Sequence, residues 1–185
     1  MIVHGMPLRQ MYLDATTASP SNYHWIPWLQ KQLALNGVLA QAPEMPRPYE
    51  PDFSAWKRVF DGVPLDRDST LIGWSGGGGF LARWLSERAD AYVRKVVLVA
   101  PWTDPRRLRT GNFFDFELAH DLGSRTGEFV VFSSENDGDP SIEESVKKIL
   151  QAVPTARHRQ FHFGHFGHWD MPSAEFPELL EEVLR

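Results

Sequence analysis

The segment Leu71-Ile72-Gly73-Trp74-Ser75-Gly76-Gly77-Gly78-Gly79-Phe80 constrains the fold of this chain more than any other. A short apolar run ends in a glycine-rich turn around one serine, and a helical pattern follows from Gly78. A strand that turns sharply into a helix is half of a βαβ unit and predicts an α/β sheet, with the serine at the carboxyl end of a strand. Gly73, Ser75 and Gly77 fill the pattern G-x-S-x-G, the nucleophile elbow. A Cβ at Gly73 or Gly77 is expected to collide with the neighbouring strand or helix. Gly78 and Gly79 weaken a helix by about 1 kcal/mol each relative to alanine, so they imply close packing or space for a substrate. The bland alternative is a glycine turn without chemistry, because the pattern is short. The run lacks G-K-[ST] and the last glycine of G-x-G-x-x-G, so phosphate and dinucleotide binding are poorly supported.

The rest of the chain repeats this rhythm. Strands are expected at Met1–His4, Gly37–Gln41, Thr70–Trp74, Lys95–Ala100, Glu128–Ser133 and His158–Phe163. Helices are expected at Tyr23–Leu35, Phe53–Asp61, Gly78–Ala89, Ile142–Ala152 and Ala174–Leu184, with Ser141 as an N-cap. The runs Lys95–Ala100 and Glu128–Ser133 are nearly continuous and β-branched, the mark of strands covered on both faces. The expected fold is α/β: an open, mainly parallel sheet of about six strands with helices on both faces, in one domain over residues 1–185. Two stretches break the rhythm. Gln41–Asp52 carries four prolines and reads as an extended loop. Trp102–Gly127 is an excursion with a short helix expected at Asn112–His120, positioned to cap the sheet.

Composition narrows the function. The 185 residues include no cysteine, which removes disulfides, thiolate zinc sites and iron–sulfur clusters. The net charge of −5, with scattered basic residues, argues against nucleic acid as a partner. No apolar run approaches the ~20 residues of a membrane span, and Met1–Gly5 does not begin a secretion signal. A cytoplasmic chain with no membrane or nucleic-acid partner, no cofactor and a monomeric or homodimeric state is the expectation. Trp74, Trp102 and Trp169, near strand ends, are candidates for lining a pocket. So are Phe113, Phe114 and Phe116, although each is equally well a core residue.

A serine needs a base and an orienting acid to act as a nucleophile. Asp137 and Asp139 follow the fifth expected strand, and His165 and His168 follow the sixth. The resulting order Ser, Asp, His is that of α/β-hydrolases. Asp104, after another strand, ranks behind Asp137 and Asp139 as the acid. His165 and His168 each follow a glycine, and their chemistry does not separate them. The Gly76 N–H, at the start of a helix, suits a developing oxyanion, and the Met6 N–H after the first strand is the second candidate, because Pro7 has none.

Together, Trp25–Leu29, the proline-rich Ala42–Pro51 followed by Trp56, Gly73–Gly77, Ala100-Pro101-Trp102, Ser134–Asp137, Gly164-His165-Phe166 and Glu175–Leu179 carry a resemblance over nearly the whole chain. The chain resembles the small α/β-hydrolases of the retinoblastoma-binding-protein-9 type, related to the bacterial YdeN-like serine hydrolases. The resemblance implies a serine hydrolase with little or no lid and the set Ser75, Asp137 and His165. The expected substrate is a small ester, thioester or amide, cleaved through an acyl-serine. This chain departs from the pattern in its four glycines after Ser75 and in a longer Asp137–Ile142 loop, which keeps Asp139 in view. Two other functions compete. One is a metal-dependent hydrolase using His162, His165 and His168, with Asp170 close by. The other is a non-catalytic protein-binding module on a hydrolase scaffold.

Overall fold

Five parallel strands form one sheet in the computed structural model, which describes residues 1–185. They are β1 (Ile2–Val3), β2 (Thr70–Trp74), β3 (Val93–Val99), β4 (Thr126–Ser134) and β5 (Arg157–Phe161), and they lie side by side in chain order. The helices are α1 (Arg9–Leu13), α2 (Trp25–Leu35), α3 (Phe53–Asp61), α4 (Gly76–Glu87), α5 (Pro140–Ala152) and α6 (Pro177–Leu184). None is long and apolar enough to cross a membrane.

The two-residue period of the strands sorts the helices between the faces. Gly73 points at α4, whose Gly78 backbone lies where its Cβ would be. The neighbouring parity, Thr70, Ile72 and Trp74 on β2 with Lys95, Val97 and Val99 on β3, points the other way. There Trp74 meets Trp25 of α2, and Lys95 donates to the Glu182 carbonyl of α6 at 2.8 Å. Lys95 is fully buried, and Glu128 at 3.2 Å and Glu182 at 3.5 Å supply the countercharge that a buried ammonium requires. On the α4 face, Phe60 and Trp56 of α3 pack edge-on against Trp84 and tilted against Phe80. One contiguous cluster of 40 buried apolar residues fills both sides.

The sheet has five strands instead of the expected six. Segment 37–41 runs beside β1 but makes one ladder bond, Ile2 N–H to the Gln41 carbonyl at 2.8 Å. In a parallel ladder the next bond would come from the amide of residue 43 to the Ile2 carbonyl, and Pro43 has no N–H. The helix expected at Asn112–His120 is also absent, replaced by a turn at residues 111–114. The Arg83 guanidinium takes the Asn112 and Phe113 carbonyls at 2.8 and 2.6 Å, and Phe113 and Phe114 are buried. The N-cap of α5 is Asp139, not Ser141: its carboxylate accepts the Ser141 amide at 2.9 Å, with Pro140 at the first helical position. Helix α6 begins at Pro177 rather than Ala174, and α4 begins two residues early, directly on the serine.

Candidate active site

Ser75 sits at the junction of β2 and α4 with φ 53° and ψ −121°, a conformation that L-residues avoid at a cost of about 1–3 kcal/mol. The surroundings over-determine it. Its N–H donates to the Val99 carbonyl at 2.9 Å, and its own carbonyl accepts from Gly78, Gly79 and Trp102. The glycine run permits this packing. A Cβ on Gly77 would stand 2.3 Å from the Val3 carbonyl oxygen, and one on Gly79 would stand 2.0 Å from that of Trp102. Helix α4 therefore enters the sheet at backbone distance from β1 and from the loop after β3, and Ser75 projects at the carboxyl end of the sheet.

Three loops meet there. The imidazole of His165 lies between Ser75 and Asp137, with Nε2 2.9 Å from Ser75 Oγ and Nδ1 2.8 Å from Asp137 Oδ2. Both are ordinary hydrogen-bond lengths. Nδ1 facing a carboxylate carries the proton, which leaves Nε2 free to accept the serine proton. The Asp137 side chain is 8% exposed and that of His165 is 35% exposed, so the carboxylate is walled in and the imidazole faces the cleft.

The histidine loop is fastened from four sides. Its Phe163 and Gly164 amides donate to Ser134 Oγ at 2.8 Å and Asn136 Oδ1 at 2.9 Å, tying it to the loop that carries Asp137. The Trp74 indole N–H reaches the His165 carbonyl at 3.0 Å, and that of Trp25 reaches the Phe166 carbonyl at 3.2 Å. The His165 amide donates to Asp170 Oδ2 at 3.0 Å. Gly164, at φ +50°, leaves the space that this carboxylate occupies.

The loop after β1 forms the remaining wall. Gly5 lies against Ser75, and the Met6 side chain lies over Gly76, within 2.7 Å of where a Cβ would be. Buried His4 accepts the Met45 amide on Nε2 at 2.9 Å, so Nδ1 carries its proton and donates to the Gly5 carbonyl at 2.7 Å. That carbonyl and the Met6 N–H belong to one planar peptide, so the bond sets the direction of the Met6 amide. Burial pushes the His4 imidazole below its ordinary pKa, against the opposing pull of the Gly5 carbonyl and Glu44. The Gly76 amide opens α4, where the first N–H groups have no helical partner.

The remaining candidates lie outside this set. The Asp139 carboxylate is engaged by the Ser141 amide and hydroxyl; burial opposes its ionisation, but these bonds outweigh it and hold its pKa low. His168 is exposed and meets the rings of His24 and Trp169 edge-on. Asp104 is buried and accepts the amides of Leu108, Arg109 and Thr110 and the Thr110 hydroxyl, so it organises its own loop. His162, His165 and His168 do not converge: His162 and His168 are exposed, His165 is held by Ser75 and Asp137, and no three His, Asp or Glu side chains are grouped to hold a metal ion. Of the proposed pocket aromatics, Trp74 lines the cleft, Trp102 is buried against Ser141, and Trp169 is 87% exposed. Phe113 and Phe114 are core.

A cavity of about 210 Å³ contains Ser75 and His165. A larger one, about 450 Å³, lies at the opposite end of the sheet around Met1, Thr70 and Arg94, far from this chemistry. His4, Tyr23 and Asn136 had no assigned role in the site from sequence, and Asp170 was named only beside the histidines of the metal-dependent reading. Only His4 and Asn136 carry a signal there, as polar residues that flank a strand end.

A model of the family described as "Serine hydrolase" matches residues 16–176. The hydrolase YdeN of Bacillus subtilis (strain 168) is 38% identical over 164 residues, which is 85% of this chain and 86% of the relative. The crystal structure of the ydeN gene product from B. subtilis superposes with a TM-score of 0.81 at 25% identity, over 99% of this chain and 95% of that one. Est1E from Butyrivibrio proteoclasticus superposes with a TM-score of 0.60 at 14% identity, over 98% of this chain and 83% of that one, a likeness of fold alone.

Proposed function

The chain belongs to the serine hydrolase family, as a YdeN-like member, and on that premise we propose that it cleaves a carboxylic ester, thioester or amide through an acyl-serine intermediate. Ser75 Oγ attacks the substrate carbonyl while His165 Nε2 takes its proton. Asp137 keeps the imidazole in the Nδ1–H tautomer and stabilises the imidazolium. The oxyanion of the tetrahedral intermediate is received by the amides of Gly76 and Met6. Collapse breaks the bond to the leaving group, which takes the proton from His165. Water then attacks the acyl-serine with His165 again as base, and the carboxylic acid and free Ser75 are regenerated.

The observation that carries this reading is the continuous hydrogen-bonded line from Asp137 through His165 to Ser75, at 2.8 and 2.9 Å. Ser75→Ala is expected to lose p-nitrophenyl acetate turnover and labelling by a fluorophosphonate probe. Undiminished labelling of that variant would refute it.

A further inference from the structure

The walls of the cleft at Ser75 differ in character. One side is the segment between β1 and α2, which folds back as α1 and a 3-10 turn at Pro20–Asn22 and lines the cavity with Met6, Met11, Tyr12, Ala18 and Tyr23. Trp74 completes it, stacked on Tyr23 with ring planes 7° apart. No Lys, Arg, Asp or Glu lines this cavity; the one ionisable group with a positive form is His165 itself. Its volume of about 210 Å³ lies below the roughly 300–1,000 Å³ of sites for drug-sized ligands.

We infer that this cavity is the acyl pocket, and that it selects a short, uncharged aliphatic acyl group. The inference rests on the acyl-serine reading above. Two physical arguments assign the acyl side. The leaving group must collect its proton from His165, whose ring is partly open to solvent, and then depart. The acyl group stays on Ser75 through both halves of the reaction and benefits from an apolar surface beside it. A charged acyl group would lose its hydration with no countercharge on the wall. A long chain would run out of cavity.

The test is a matrix of p-nitrophenyl esters with a constant leaving group. From acetate to hexanoate, kcat/KM is expected to rise by about fourfold per methylene, the value of burying each CH₂. It should then level or fall by dodecanoate, and an ester of a dicarboxylic acid of matching length should be slower by at least about a hundredfold. Ala18→Leu, at an exposed position, should move the optimum to shorter chains, and Met11→Ala to longer ones. In a second series the acyl group stays butyryl and the alcohol is lengthened; rates there should change little. A flat acyl profile, equal rates on the charged ester, or a stronger dependence on the alcohol than on the acyl chain would overturn the pocket assignment. Fluorophosphonate labelling of Ser75, with loss in Ser75→Ala, is run alongside. If that labelling fails, the acyl-serine reading falls; if it holds and the profile is flat, the pocket assignment alone falls.

Discussion

The carboxylate of Asp170 accepts the backbone N–H of His165 at 3.0 Å, five residues back along the chain. The residue that presents the imidazole to Ser75 is thus held by its main chain as well as its ring. Gly164, between the strand and the histidine, is the position that makes room. Asp170→Ala is expected to lower kcat roughly ten- to a hundredfold with little change in KM, because a small displacement of a reacting group is costly. Asp170→Asn retains an acceptor oxygen and should recover most of the loss. Equal kcat in Asp170→Ala and the parent protein would rule out this positioning role.

Asp137 and Asp139 should separate cleanly under mutation. Asp137→Asn removes the negative charge beside Nδ1 and lets an amide N–H face that nitrogen, which favours the wrong His165 tautomer, and kcat should fall on the order of 10⁴-fold with the melting temperature little changed. Asp139→Ala removes a helix cap, which costs about 1 kcal/mol, or roughly 2–4 °C in Tm, and should keep turnover. Steady-state kinetics and a thermal melt on both variants decide it; a large kcat loss in Asp139→Ala would reverse the assignment.

Where local pattern decides, the sequence was a sufficient guide. The boundaries Thr70–Trp74 and Phe53–Asp61 coincide with the observed elements, the latter because Asp52 caps it by accepting the Ala55 amide at 2.8 Å. The order Ser75, Asp137, His165, after the ends of β2, β4 and β5, was legible for the same reason. Partners distant in sequence decided the rest. Pro43 prevents a sixth strand only because its missing N–H falls opposite the Ile2 carbonyl, a matter of register. Arg83 unmakes a helix at Asn112 from 29 residues away. Asp137 and Asp139 have the same chemistry two residues apart, and what divides them is the Ser141 amide and hydroxyl, which face only one. Pro140 was the available signal, since proline favours the first helical position and makes its predecessor the cap.

Acid should destabilise the fold through its histidines before its carboxylates protonate. His4, His24 and His158 are each held below the ordinary pKa of 6.5, in each case chiefly by burial. As pH falls through 6.5 the unfolded chain takes up protons that the native state refuses, so stability is complete above that value and declines below it. Urea unfolding at pH 7.5 and pH 5.5 should show a lower midpoint at the acid value. His4→Gln should flatten the dependence in part, because His24 and His158 still contribute. An unchanged pH slope in His4→Gln would remove His4 from the account.

The glycine run separates helix propensity from packing. By propensity, Gly79→Ala inside α4 should stabilise the helix by about 1 kcal/mol. The structure demands the opposite, since the new Cβ would sit 2.0 Å from the Trp102 carbonyl oxygen and 2.7 Å from the Phe114 ring. A backbone oxygen cannot swing aside as a side chain does, so α4 would have to move off the sheet and carry Ser75 with it. Gly79→Ala should therefore lose more than about 2 kcal/mol of stability, as overpacked core sites do, and hydrolase activity should fall along with it. Gly138, in the acid loop, is the control: no atom lies within 4 Å of its would-be Cβ and its φ is not positive. Gly138→Ala should be neutral or stabilising by up to about 1 kcal/mol, through the unfolded chain. Chemical denaturation of both variants distinguishes the two accounts; a Gly79→Ala protein as stable as the parent would mean that helix and sheet do not approach so closely.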